Sequence, residues 1–185
     1  MSFKDKIEKW KTMGAIAPSS KFLVNKMLAK INYSQDLDLL QLGFGKGVFT
    51  KEIIRRSTPN TMLTIFEVDK NCRKYNIDNK RITYIEDSAE KISLYCEDKK
   101  FDHIISTLPF ASLPRKVSQN IFKTIKQHLK KNGKFLQYQY SFFSKKDIQK
   151  LFDEKIKIDF VLLNLPPAFI YETKNNTLPI KTNLY

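Results

Sequence analysis

Three glycines stand at alternate positions in Leu42-Gly43-Phe44-Gly45-Lys46-Gly47-Val48, and the whole chain has only five. Between an apolar strand and a helix, such a run lets the backbone turn tightly and approach a nucleotide-like ligand, although a plain tight turn uses the same residues. Glu67 follows 20 residues after Gly47. At the tip of the neighbouring strand its carboxylate can accept hydrogen bonds from ribose hydroxyls, with Asp69 the alternative two residues on. A third apolar segment ends at Ile85-Glu86-Asp87-Ser88, where Asp87 can bind the amino group of an adenine or cap the next helix. A fourth delivers Ser106-Thr107-Leu108-Pro109-Phe110 to the same edge. No metal chemistry is offered: His103 and His128 are isolated, and Cys72 and Cys96 have neither ligand nor redox spacing.

The elements that position these residues alternate. Phe3, Ile7, Trp10 and Met13 make the apolar stripe of a short helix whose other faces carry Lys4, Lys6, Lys9 and Lys11. A second helix is expected from a Ser19 or Ser20 cap to about Ile31. Strands follow at Leu37–Leu42, Met62–Val68, Ile82–Ile85, Phe101–Ser106 and Phe135–Phe142. Helical segments are expected at Val48–Arg56, Asn71–Tyr75, Ala89–Leu94, Pro114–Lys130 and Lys145–Glu154, with a turn at Asn132-Gly133. Ile156–Leu165 and Ala168–Glu172 read as a closing antiparallel hairpin. The prediction is α/β: one domain with a mostly parallel seven-stranded sheet, an antiparallel edge hairpin and helices on both faces.

The Gly-x-Gly-x-Gly loop with Glu67 and Asp87 resembles the class I S-adenosylmethionine-dependent methyltransferases. That resemblance implies a Rossmann-like fold and S-adenosylmethionine as cofactor, held by Ser19, Ser20, Gln41, Gly43, Gly45, Gly47, Glu67, Asp87 and Ser88. Gln41 stands where that superfamily usually has an acidic residue, and its amide binds the methionine ammonium more weakly than a carboxylate would. Thr107-Leu108-Pro109-Phe110 resembles the Asn-Leu-Pro-Phe motif of amino methyltransferases, including the rRNA adenine dimethylases. In that motif the amide and the adjacent carbonyl hold the amine, and the aromatic ring stacks on the base. Thr107 replaces the amide, which weighs against a nucleobase. Gly14-Ala15-Ile16-Ala17-Pro18-Ser19-Ser20, Thr107 to Pro114, and Asn164-Leu165-Pro166-Pro167-Ala168-Phe169-Ile170-Tyr171 look like the small bacterial phospholipid N-methyltransferases acting on phosphatidylethanolamine. The match spans about residues 10–172. It implies stepwise methylation of a head-group amine, with residues 1–13 as a membrane-surface helix and 14–185 as the methyltransferase domain.

On this reading Thr107, Leu108, Pro109, Phe110 and Tyr140 form the chemistry site, and Arg115, Lys116 and Tyr171 meet the head group. Arg115 and Lys116 can hold the lipid phosphate or be a plain surface pair. Tyr138, Tyr140 and Tyr171 can surround an ammonium or pack in the core. The base that deprotonates the amine is Tyr140, Thr107 or a water.

The 185 residues, 42% hydrophobic, suffice for a folded core. No apolar run reaches the roughly 18–20 residues of a membrane span. The absence of a signal peptide and only two cysteines, without ligand or redox spacing, point to a cytoplasmic protein, expected to be peripheral to the inner face of the membrane and monomeric. The net charge is +14; between Arg115 and Lys157, 12 basic residues face three acidic ones. Anionic lipid and RNA would both be attracted, and an AT-rich genome, which inflates Lys, Asn and Ile, gives the same charge with neither. The shortness of the chain, with no room for a separate RNA-binding domain, tilts the expectation to lipid over an rRNA adenine. A catalytically weak cofactor-binding module, supported only by Gln41, is the third reading.

Overall fold

A computed structural model describes residues 19–140 and 156–176, together with Ile148, Gln149 and Phe152. The expected helix over 3–13, the segment from Gly14 to Pro18 and most of the helix expected over 145–154 lie outside the described residues, as does the end of the strand expected to reach Phe142.

Helix α1 (Lys21–Leu28) is capped by Ser20, whose hydroxyl accepts from the Leu23 amide, and buries Leu23, Val24, Met27 and Leu28. The chain then alternates through β1 (Asp38–Leu42), α2 (Val48–Arg56), β2 (Met62–Phe66), β3 (Ile82–Ile85), α3 (Ile92–Cys96), β4 (Phe101–Ser106), α4 (Arg115–His128) and β5 (Leu129–Gln139). It closes with β6 (Lys157–Val161) and β7 (Ala168–Lys174). The seven strands form one sheet, ordered β3-β2-β1-β4-β5-β7-β6, in which only β7 runs against the others. One core packs α1 and α2 on one face through Met27, Phe49, Ile53, Leu39 and Leu136. The other packs α3 and α4 on the opposite face through Ile92, Ile121, Phe122, Ile125 and Phe135. Phe152 stacks on Phe135 with ring centroids 5.9 Å apart, extending that second core.

The α4 to β5 junction differs from the expected helix to Lys130 and turn at Asn132-Gly133. Helix α4 ends at His128 and β5 starts at once. His128 pins the end of α4, with Nδ1 2.7 Å from the Lys99 carbonyl and Nε2 2.9 Å from the Ser93 hydroxyl. Asn132, at φ 62°, and Gly133 then form an irregularity inside the strand, where the β4–β5 register shifts. A side chain on Gly133 would begin 2.7 Å from the Asp102 carbonyl, so only glycine lets the strands close there. The segment after β2 is a 3-10 turn (Lys70–Tyr75) with no buried residue, too apolar-poor to pay for a full helix. The strand expected to reach Leu165 stops at Val161, and Leu162 to Leu165 leave the sheet.

Candidate active site

The ladder hydrogen bonds run one residue past the C-terminal ends of β1, β2 and β4. The Gly43 amide reaches the Phe66 carbonyl (2.9 Å), that of Glu67 reaches Ile85 (3.0 Å) and that of Thr107 reaches Leu42 (2.8 Å). This holds the glycine loop, Glu67 and Thr107 in line along one edge, the edge at which ligands bind in open α/β sheets.

All three loop glycines have positive φ: 86° at Gly43, 55° at Gly45 and 73° at Gly47. The loop is bounded behind and open in front. A side chain on Gly43 would start 2.5 Å from Thr107 Oγ1, and one on Gly47 would start 3.0 Å from the Phe44 ring, whereas one on Gly45 meets nothing within 4 Å. Glu67 folds into this loop: Oε2 accepts from the amides of Phe44 (2.9 Å) and Gly45 (3.1 Å), and Oε1 from that of Asp69 (2.9 Å). Beside it lies a cleft lined by Phe44, Ile65, Glu67, Cys72, Tyr84 and Ile85, with the Arg73–Glu86 ion pair at its rim. An open loop face, backbone donors and a carboxylate at the tip of β2 suit the ribose and amino-acid portions of S-adenosylmethionine, so the residues present fit that cofactor.

Gln41 is fully buried. Its Nε2 donates to the Gly43 carbonyl and its Oε1 accepts from Thr50 Oγ1, each at 2.8 Å. Both ends of the amide are spent on holding the loop to α2, which corrects the expectation that they meet the methionine ammonium. A Gln41→Leu variant leaves the Thr50 hydroxyl buried and unpaired and strips the Gly43 carbonyl of one of its two side-chain donors, leaving Thr107. It is expected to lose about 2–4 kcal/mol of folding stability, roughly 1–3 kcal/mol for the orphaned hydroxyl and ~1 kcal/mol for the lost hydrogen bond to Gly43, read by urea unfolding without cofactor. Wild-type stability would refute the assignment.

Asp87 accepts from Lys91 Nζ and the Tyr95 hydroxyl, both 2.9 Å from Oδ2, and from the Ser88 amide. The Lys91 ammonium, above all, holds its carboxyl below the ordinary aspartate range. Ser88, not Asp87, caps the following 3-10 turn (Ala89–Lys91). Ser20 spends its hydroxyl on the cap of α1, and its amide donates to Asn164 Oδ1 at 3.0 Å.

Thr107 Oγ1 donates toward the carbonyls of Gly43 (3.1 Å) and Leu42 (3.3 Å). Pro109, at φ −81° and ψ 70°, makes an inverse γ-turn in which the Phe110 amide reaches the Leu108 carbonyl at 3.0 Å. Gln137 Nε2 donates to that same carbonyl at 2.9 Å. Both of its lone pairs are therefore engaged, so it is not the amine acceptor implied by the Asn-Leu-Pro-Phe resemblance. Phe110 is 4% exposed and packs on Phe122 at 4.3 Å. Its ring anchors the segment in the core and does not face a substrate.

A second cluster forms beyond β5. Ser19 Oγ donates to the Tyr138 hydroxyl at 3.2 Å, Tyr138 stacks on Phe49 at 5.9 Å, and Tyr140 meets Tyr138 edge-on at 5.8 Å. Burial chiefly, with Tyr140 beside it, pushes the Tyr138 phenol up to about 12. Tyr171 does not join them. It is 1% exposed, lies opposite Gln137 in the β5–β7 register, and packs in the core on the α4 face. Because alternate residues point to opposite faces, Tyr138 and Tyr140 lie on the α1 side and Tyr171 on the other, which removes Tyr171 from the head-group site. Arg115 and Lys116 are exposed in the first turn of α4, directly after the Leu-Pro segment.

Thr50 and Gln137 were not singled out from the sequence, and Asn164 was named only as the first residue of the segment that resembles the phospholipid enzymes. Gln137 and Asn164 carry a signal, each a polar residue between apolar or aromatic ones, whereas Thr50 stands before Lys51 and Glu52 and carries none; all three prove buried. His103 accepts from the Lys134 amide at Nδ1 (3.2 Å), and burial lowers its pKa to about 4, so it is a neutral structural side chain at neutral pH. Among the described residues no group of three or more His, Cys, Asp or Glu could hold a metal ion.

The profile of the methyltransferase small domain matches residues 12–168. The chain is 25% identical over 167 residues to an ornithine lipid N-methyltransferase of Singulisphaera acidiphila, covering 86% of each. It is 22% identical to malonyl-[acyl-carrier protein] O-methyltransferase 2 of Ilyobacter polytropus, over 80% of this chain and 66% of that one. Its fold matches the N-methyltransferase NodS of Bradyrhizobium japonicum, solved with S-adenosyl-L-homocysteine. The TM-score is 0.69 at 12% identity, over 93% of this chain and 99% of that one.

Proposed function

The chain belongs to the methyltransferase small domain family, and from that premise we propose that it methylates the head-group amine of a membrane lipid such as phosphatidylethanolamine or an ornithine lipid. S-adenosylmethionine is its cofactor and supplies an electrophilic methyl carbon on a sulfonium. The observation that carries the lipid reading is the similarity to the ornithine lipid N-methyltransferase across 86% of both chains. The Asn164–Tyr171 segment, which resembles the phospholipid enzymes, agrees with it.

The glycine loop and Glu67 bind and orient the cofactor. Thr107 gives its one hydrogen to the loop carbonyls and keeps lone pairs that accept from the substrate amine, fixing the direction of the nitrogen lone pair. A head-group amine has a pKa near that of lysine, about 10.4, so it must lose a proton before it attacks. Tyr138, held protonated, is not the base, and the proton leaves through water or Tyr140. With the cofactor held in the glycine loop, alignment of the amine nitrogen with the methyl carbon by these residues would supply most of the rate. Arg115 and Lys116 hold the lipid phosphate or carboxylate as the amine is presented.

The test is a panel of vesicles containing phosphatidylethanolamine, its monomethyl and dimethyl forms, or ornithine lipid, with rRNA alongside and methyl-labelled cofactor. Label in an aminolipid fraction is the expected result. Label in RNA alone, or in no acceptor, would overturn the reading.

A further inference from the structure

We propose that the turn between β6 and β7, together with Phe22 on α1, is the element that enters a lipid surface and sets the active edge against it. The proposal rests on the lipid reading above. Among the described residues nine large apolar side chains are exposed, and Phe22, Phe160, Leu162, Leu163 and Leu165 are five of them. The three leucines are 68%, 63% and 83% exposed and Phe22 is 59% exposed. Scattered apolar residues need no explanation, but a cluster on one projecting turn does.

The turn is held from within. Between the leucines, Asn164 is 4% exposed. Its Oδ1 accepts from the Ser20 amide, and its Nδ2 donates to the Pro166 carbonyl at 2.7 Å. A polar residue thus fixes the turn and ties it to the start of α1, while its leucines point outward. Pro166 and Pro167 bring no amide hydrogen, which lowers the cost of taking this backbone out of water.

Register places the turn at the active edge. Ser106 pairs with Gln137, Gln139 with Phe169, and Val161 with Ala168, so the turn projects past the same strand ends that carry Thr107. Three strand spacings separate β4 from β6, about 14 Å. A bilayer resting on the leucines therefore faces the edge at which the amine must arrive.

Charge selects the occupant. Neither Ser19 to Lys30 nor Phe160 to Tyr171 contains an acidic residue. Lys21 and Lys26 are exposed beside Phe22, with Lys26 Nζ on the Phe160 carbonyl at 2.9 Å. An exposed apolar turn with two lysines beside it and no acidic residue within these two segments fits an anionic lipid interface, into which leucines insert while the ammonium groups stay at the head groups.

The test compares wild type with a Leu162→Ser, Leu163→Ser, Leu165→Ser variant, by flotation with phosphatidylcholine–phosphatidylglycerol vesicles. Partitioning of the variant is expected to fall about tenfold or more. Methylation of vesicle phosphatidylethanolamine should fall with it. Cofactor binding, vesicle-free melting temperature and methylation of a short-chain, water-soluble phosphatidylethanolamine should stay unchanged. Equal flotation of the two proteins overturns the proposal. So does a drop of several degrees in the vesicle-free melting temperature, which would mean that the leucines pack within the protein and are not free to enter a lipid surface. Lost flotation with no lipid methylated by either protein upholds the docking surface and removes the substrate reading instead.

Discussion

A Gly43→Ala variant is expected to lose about a hundredfold in kcat/KM, with cofactor affinity falling in parallel. Two independent costs produce this. The first is conformational: φ of 86° lies where a side chain strains the backbone, by roughly 1–2 kcal/mol. The second is steric. The new methyl would start 2.5 Å from Thr107 Oγ1, so the glycine loop and the Thr107 segment must separate. That separation breaks the hydrogen bonds from Thr107 to Gly43 and Leu42, which set the cofactor loop against the chemistry site. A displacement near 1 Å between reacting groups is worth about a hundredfold in rate, or ~2.7 kcal/mol. The two costs can be separated. Adding Thr107→Ala removes the oxygen that the methyl strikes and should restore about tenfold of the cofactor affinity, leaving the strain of positive φ in place. Calorimetric titration reads both variants without reference to the acceptor. Wild-type affinity in Gly43→Ala would mean that the loop is not the cofactor cradle.

The glycines were legible because their residue type is their signal: only glycine takes these φ values cheaply, and no packing partner is needed to see it. The sheet was legible for a similar reason, since apolar runs such as Phe101–Ser106 and Ile82–Ile85 end where turn residues begin. What sequence could not supply was the side on which a polar or aromatic side chain lands. Gln41 read as a weak ligand for the methionine amine, yet Thr50, nine residues on and one turn into α2, draws it inward. Tyr138 and Tyr140, two residues apart, share a face as the alternation of a strand requires. Tyr171 went astray because its face depends on the β5–β7 register, a long-range pairing that sets it opposite Gln137 and that no local pattern encodes. Phe110 read as a stacking ring because the motif exposes one, but the inverse γ-turn at Pro109 folds it onto Phe122.

Charge is a further case of position deciding meaning. The basic stretch from Arg115 onward counted every lysine alike. In the fold, Lys130 pairs with Asp102 at 2.9 Å and Lys134 with Glu172 at 3.4 Å, so these two serve the sheet. Arg115 and Lys116 are exposed in the first turn of α4, and on the proposed function they would meet the anionic group of the lipid.

A Glu67→Ala variant is expected to raise the cofactor dissociation constant at least tenfold, as loss of a charged hydrogen bond worth roughly 1.5–3 kcal/mol requires. The geometry adds a second expectation that spacing alone did not contain. The carboxylate accepts three backbone amides, those of Phe44, Gly45 and Asp69. An ionised carboxylate has about four acceptor sites, so about one remains for a ribose hydroxyl. Glu67 thus shapes the loop before any ligand arrives. Glu67→Ala should therefore lower the folding stability of the cofactor-free protein as well, by about 1–3 kcal/mol, because the loop amides lose their acceptor. Glu67→Gln separates the two roles. Its amide oxygen can still serve Phe44 and Gly45, but its NH2 group then confronts the Asp69 amide donor to donor. Stability should fall less than in the alanine variant, while affinity still drops because the ribose meets a neutral group. Affinity lost with cofactor-free stability unchanged would mean that Glu67 acts on the ribose alone. Stability lost with affinity unchanged would place the ribose elsewhere, with Asp69 the next carboxylate along the chain to test.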